Sequence, residues 1–101
     1  MSVDTEVVLD EKIKIKQKQP KKYKVVFLND DTTPMEFVVG VLMEIFKDSA
    51  ATAENITMTI HNEGSGVVGV YSYEIAEQKS IETTQAARNN GFHLQVRLEE
   101  E

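Results

Sequence analysis

The chain has 101 residues, 41% hydrophobic and 28% charged, with a formal net charge of -6 and no cysteine. This length makes one small domain with a modest core, and the missing cysteines exclude a disulfide framework or a thiolate metal site. The N-terminus Met1-Ser2-Val3-Asp4 lacks the basic-then-apolar pattern of a secretory signal, and the longest apolar run, Val67–Tyr71, falls far short of the roughly 20 residues a membrane span needs, so a soluble cytoplasmic protein is expected.

Residues 1–22 hold six lysines (Lys12, Lys14, Lys16, Lys18, Lys21, Lys22) against four acids, and the rest of the chain is acidic. No aromatic residue interleaves with the lysines to stack on bases, so nucleic acid is not expected as a partner. The Lys-Ile-Lys-Ile-Lys alternation has a strand's period but runs into glutamines and Pro20, and residues 1–21 are read as a flexible extension. Residues 22–101 are the folded domain.

Tyr23–Leu28, rich in β-branched and aromatic residues, is a predicted strand that stops at Asn29-Asp30-Asp31. Thr33-Pro34 then reads as a helix start, with Thr33 as N-cap, Pro34 in the first turn and a helix to about Lys47. Its apolar positions Met35, Val38, Val39, Leu42, Ile45 and Phe46 recur at helical spacing, and Gly40 is a small local cost compatible with close packing. A second helix is expected from about Thr52 to His61, although the alternation Ile56-Thr57-Met58-Thr59-Ile60 suits a strand equally. Asn62–Gly66 breaks it. Val67–Tyr71 reads as a buried strand, Tyr73–Asn89 as a third helix closed by Asn90-Gly91, and His93–Leu98 as a last strand with Leu94, Val96 and Leu98 inward. The order β-α-α-β-α-β predicts an α+β fold, a small three-stranded antiparallel sheet with three helices on one side.

Asn29-Asp30-Asp31 lies between a strand and a helix N-terminus, where one carboxylate can accept backbone N–H groups and meet the positive end of the helix dipole. That explains one acid. An amide, an acid and the imidazole of His61 together have the acceptors to hold a cation.

The stretch YKVVFLNDDTTPMEFVVGVL resembles the opening of the ClpS family of adaptors, and IHNEGSGVVGVYSYEIAEQK resembles that family's His-x-x-Gly segment, strand and Glu-x-Ala-Glu-x-Lys helix start. The resemblance runs from about Lys22 to Glu99, and the family fold agrees with the order read above. It implies a monomeric adaptor, not an enzyme and without a cofactor, that recognises N-end rule substrates by a free α-amino group and a bulky apolar first residue (Phe, Leu, Tyr or Trp). Such an adaptor delivers its substrates to the N-terminal domain of a Clp AAA+ unfoldase of the A or C type. By the same resemblance Asn29, Asp30 and His61 accept from the α-ammonium, a compact cation with three N–H donors. Thr33, Met35, Val38, Ile60 and Leu94 form the side-chain pocket, with Met35 as the gate against β-branched residues. Thr57 stands where the family commonly has a methionine, which makes the pocket roomier or more polar and disturbs the ranking of first residues. Thr32 replaces a frequent aromatic at the rim.

The resemblance also implies docking on the unfoldase through Glu74, Glu77 and Lys79, with residues 1–21 as the extension presented during hand-over. An enzyme is disfavoured, because Asp30 and His61 have no partnered nucleophile, phosphate loop or metal cluster beside them. The rival reading is a plain protein–protein module, such as the similarly folded domain of the ribosomal stalk, without recognition of a first residue.

Overall fold

The computed structural model describes residues 21–101, so the expected extension, apart from Lys21, lies outside the described residues. Strand β1 (Lys22–Leu28) is followed by α1 (Met35–Glu44), α2 (Ala50–Glu63), β2 (Ser65–Ser72), α3 (Tyr73–Asn89) and β3 (Gln95–Glu100). The sheet order is β2-β1-β3 and both pairings are antiparallel, which makes β1 the central strand. Its Val25 and Phe27 are fully buried and join Val38, Val41, Leu42, Phe46, Ala53, Ile60, Val68, Ala76, Ala87 and Leu94 in one core. The α+β architecture is therefore the one expected, with every apolar face met by another layer.

The boundaries differ at several places, each for a local reason. Pro34, not Thr33, is the N-cap of α1, with ψ at 147° and its carbonyl accepting from Phe37 N and Val38 N at 3.1 and 3.3 Å. Thr33 cannot cap because its hydroxyl is committed to Asp30. The helix stops at Glu44 rather than Lys47, since Lys47 takes a left-handed φ of 62° and Asp48 N turns back to Leu42 O at 3.0 Å. Gly40 does not serve close packing: a Cβ built there meets nothing within 4 Å.

Helix α2 starts earlier than expected because the Ser49 hydroxyl accepts from Thr52 N at 3.2 Å and caps it. It also runs past His61 to Glu63, where Gly64 adopts φ 90° and donates its N–H to Ile60 O at 2.9 Å, the left-handed ending that glycine permits. The alternation of Ile56, Met58 and Ile60 was thus no sign of a strand. Ala53, Thr57 and Ile60 share the buried face at helical spacing, while Met58 faces outward.

Strand β2 is an edge strand and only half buried. Val68 faces the core, whereas Val67 is 46% exposed on the open face of the sheet, so the expectation of a buried strand fails there. Strand β3 begins at Gln95, two residues later than read. Leu94 is still buried, and Val96 and Leu98 pack against the core from the strand. The bounds of α3 are those expected.

Candidate functional site

The site begins where β1 ends. Asn29 donates its backbone N–H to the carbonyl of Gly64 at 2.9 Å, which ties the β1–α1 loop to the end of α2. His61 sits in the last turn of that helix, so this one bond brings the amide and the imidazole to the same rim. Gly64 is what allows the approach, since its left-handed φ turns the chain out of α2 and into β2.

Asp30 holds the loop from inside. Its Oδ2 accepts from Thr32 N at 3.2 Å, Thr32 Oγ1 at 2.6 Å and Thr33 Oγ1 at 2.5 Å. All three bonds fall on Oδ2, so the fold engages one edge of the carboxylate. The Thr32 and Thr33 hydroxyls hold the carboxyl below its ordinary range, helped by the Thr32 N–H and the nearby His93, with partial burial opposing them. Asp30 is therefore the acid that organises the turn, and Asp31 beside it is exposed.

Thr32 adds a second long-range tie. Its Oγ1 accepts from His93 N at 2.9 Å and so anchors the loop to the segment entering β3, next to buried Leu94. Sequence reading treated Thr32 as a rim residue and assigned nothing to His93, since a contact across 61 positions leaves no local pattern.

Between these anchors lies a hollow of about 10 Å³, lined by Asn29, Asp30, Thr33, Met35, Val38, Thr57, Ile60, His61 and Leu94 together with Leu28. The nine residues expected at the site thus come from three helices and loops to one place, and Leu28 at the end of β1 is the lining residue that was missed. The polar members sit on one side of the chemistry, three acceptors among them, and the rest present an apolar wall. Met35 is 37% exposed at the rim, while Val38, Ile60 and Leu94 are buried and belong equally to the core. Gly66 backs this wall, because a Cβ there would come within 2.9 Å of Ile60 Cγ1. Thr57 is 3% exposed, and its hydroxyl donates to Ala53 O at 2.8 Å, so its proton is satisfied inside its own helix.

The three residues expected to dock a partner divide. Glu74 and Glu77 are exposed on α3, and Glu77 accepts from the Tyr73 hydroxyl at 3.1 Å. Lys79 turns inward. Its Nζ donates to Ile45 O at 2.8 Å at the end of α1 and lies 5.5 and 5.3 Å from the ring centroids of Phe46 and Tyr71. Among the described residues no group of three His, Asp or Glu gathers as for a metal ion, and no helix is long and apolar enough to cross a membrane.

Comparison with known proteins gives the arrangement its context. Residues 18–97 match the family model described as ATP-dependent Clp protease adaptor protein ClpS. An ATP-dependent Clp protease adapter protein ClpS of Helicobacter hepaticus is 48% identical over 82 residues, covering 81% of this chain and 83% of the relative. The corresponding protein of Burkholderia cenocepacia is 51% identical over 85 residues, covering 84% and 82%. Among solved structures, Agrobacterium tumefaciens ClpS2 bound to L-phenylalaninamide superimposes with a TM-score of 0.80 at 46% identity, covering 82% of this chain and all of that one. Sequence, fold and the residues of the hollow converge, and the chain belongs to the ClpS family of adaptor proteins of the ATP-dependent Clp protease.

Proposed function

We propose that this ClpS-family chain binds proteins by their first residue, gripping a free α-ammonium and a bulky apolar side chain, and hands them to a Clp unfoldase for degradation. The observation that carries this reading is the shared hollow: the acceptors Asn29, Asp30 and His61 line the same small cavity as Met35, Val38, Ile60 and Leu94. An ammonium needs acceptors converging from several directions, and a carboxylate among them supplies the charge. The ligand in the Agrobacterium structure, L-phenylalaninamide, carries the same two features, a free α-amine and an apolar side chain.

An acetylated amine keeps a single donor and no charge. It would leave the Asp30 carboxylate desolvated and unpaired, so discrimination of several kcal/mol is expected. His61 accepts only as neutral imidazole, which makes binding weaker as acid protonates it. The exposed Glu74 and Glu77 are the groups of α3 free to meet an unfoldase N-terminal domain. Lys79 would serve that surface by holding α3 against the end of α1 rather than by offering its ammonium.

The test is a titration of the full chain with labelled peptides that begin with Phe, Leu, Ile or Ala, the Phe peptide also in acetylated form. Tight binding of Phe and Leu that vanishes on acetylation supports the reading. Binding of none of them returns the chain to a generic interaction module that modulates the Clp protease.

A further inference from the structure

The hollow beside the ammonium acceptors, about 10 Å³, has room for about one water and none for an aromatic ring. Two of its walls, Met35 and Thr57, also wall a second hollow of about 290 Å³ between α1 and α2, completed by Glu36, Val39, Glu54 and Met58. Only these two side chains divide the two spaces.

The divide is weak on both counts. Met35 is unbranched, partly exposed and adaptable, so it can be displaced at small cost. Thr57 is short, and its hydroxyl is bonded to Ala53 O within α2, so it does not reach across the gap. A longer residue there would close it. Beyond the divide the floor is apolar, Val39 with Met58, and the rim carries the carboxylates of Glu36 and Glu54. Among the described residues neither carboxylate is hydrogen-bonded or ion-paired to a side chain.

We propose that Thr57 opens the first-residue pocket into the α1–α2 groove and so makes tryptophan a favoured first residue, its ring displacing Met35 and its N–H meeting Glu36 or Glu54. The inference rests on the proposed recognition of a free first residue. An indole matches the joined space because it is a large apolar body with a single donor at one edge, and the groove supplies an apolar floor with acceptors at its rim. A leucine side chain ends before the divide and makes the reference.

The experiment compares peptides beginning with Trp and with Leu on the full chain and on Thr57→Met, Thr57→Val and Met58→Glu. The chain has no tryptophan, so the peptide supplies the whole indole fluorescence. Thr57→Met rebuilds the divide and should lower the ratio of Trp to Leu affinity about tenfold, while Thr57→Val keeps the small size and the ratio. Met58 is 45% exposed, so Met58→Glu should fold, and it should also lower the ratio by charging the floor. In the wild-type complex the indole should be shielded from acrylamide. A ratio unmoved by both Thr57→Met and Met58→Glu, an equal loss with Thr57→Val, or an indole still open to quencher overturns the inference while recognition of Leu stands. A wild-type chain that binds neither peptide overturns the recognition itself and this inference with it.

Discussion

Helix α1 has a charged residue at each end, and the two are used in opposite ways. Asp30 lies in the loop before its N-terminus and Lys79 bonds the carbonyl of Ile45 just past its C-terminus, so each charge has the sign the helix dipole favours. Lys79 is consumed by the fold, its ammonium held between a carbonyl and two aromatic rings in a partly buried place. Asp30 gathers three donors on one oxygen, and the second edge of its carboxylate lines the hollow with Asn29 and His61. The same electrostatic device thus serves packing at one end and leaves a usable charge at the other.

The largest expected effect breaks the Asp30 end. Asp30→Ala should lower affinity for a Phe-initial peptide by about a hundredfold or more, since it removes the charged acceptor and loosens the Thr32 and Thr33 hydroxyls together. Asp31→Ala, at an exposed neighbour, should leave affinity unchanged, and the pair of titrations checks which acid does the work. At the other end, Lys79→Ala should cost about 1–2 kcal/mol of stability without weakening peptide binding, read from denaturant midpoints and the same titration.

The comparison sharpens with pH. The Asp30 carboxyl is held low chiefly by the Thr32 and Thr33 hydroxyls, so the folded chain binds fewer protons than the unfolded one in the carboxylate range. Its stabilisation is present above the ordinary aspartate value of about 3.9 and is lost as pH falls through the lower folded value. Asp30→Asn should therefore flatten the acid limb of a stability–pH curve below that value. The smallest effect lies in α1 between the two ends. Gly40→Ala places a methyl in open space and should stabilise the chain by about 0.5–1 kcal/mol, measured as a rise in the thermal midpoint.

What the sequence made legible, and what it hid, follows from the range of the interactions concerned. The bounds of α3 were readable because Tyr73–Asn89 is punctuated at its end by Asn90-Gly91, with Gly91 at φ 78°. The start of α1 was misread because Thr33 has the chemistry of an N-cap, and only the geometry of the loop shows its hydroxyl already given to Asp30. For β2 the apolar run Val67-Val68 suggested burial, while sheet order put the strand at an edge. The site residues were found through the family motif, because Val38, Ile60 and Leu94 are ordinary core residues by pattern. Nothing local marked Lys79 as inward, since its partners Ile45 and Phe46 lie more than 30 positions away.

The two backbone ties of the recognition loop, Asn29 to Gly64 and His93 to Thr32, join segments that only the completed sheet and helices bring together. Neither can form in an isolated hairpin or helix, so closing them requires most of the chain's loop-closure entropy to have been spent already. The amide protons of Asn29 and His93 should therefore exchange with solvent on the timescale of global unfolding rather than that of loop fraying. Recognition would then be an all-or-none property of this chain: a partly unfolded copy has no half-formed site with which to occupy a substrate.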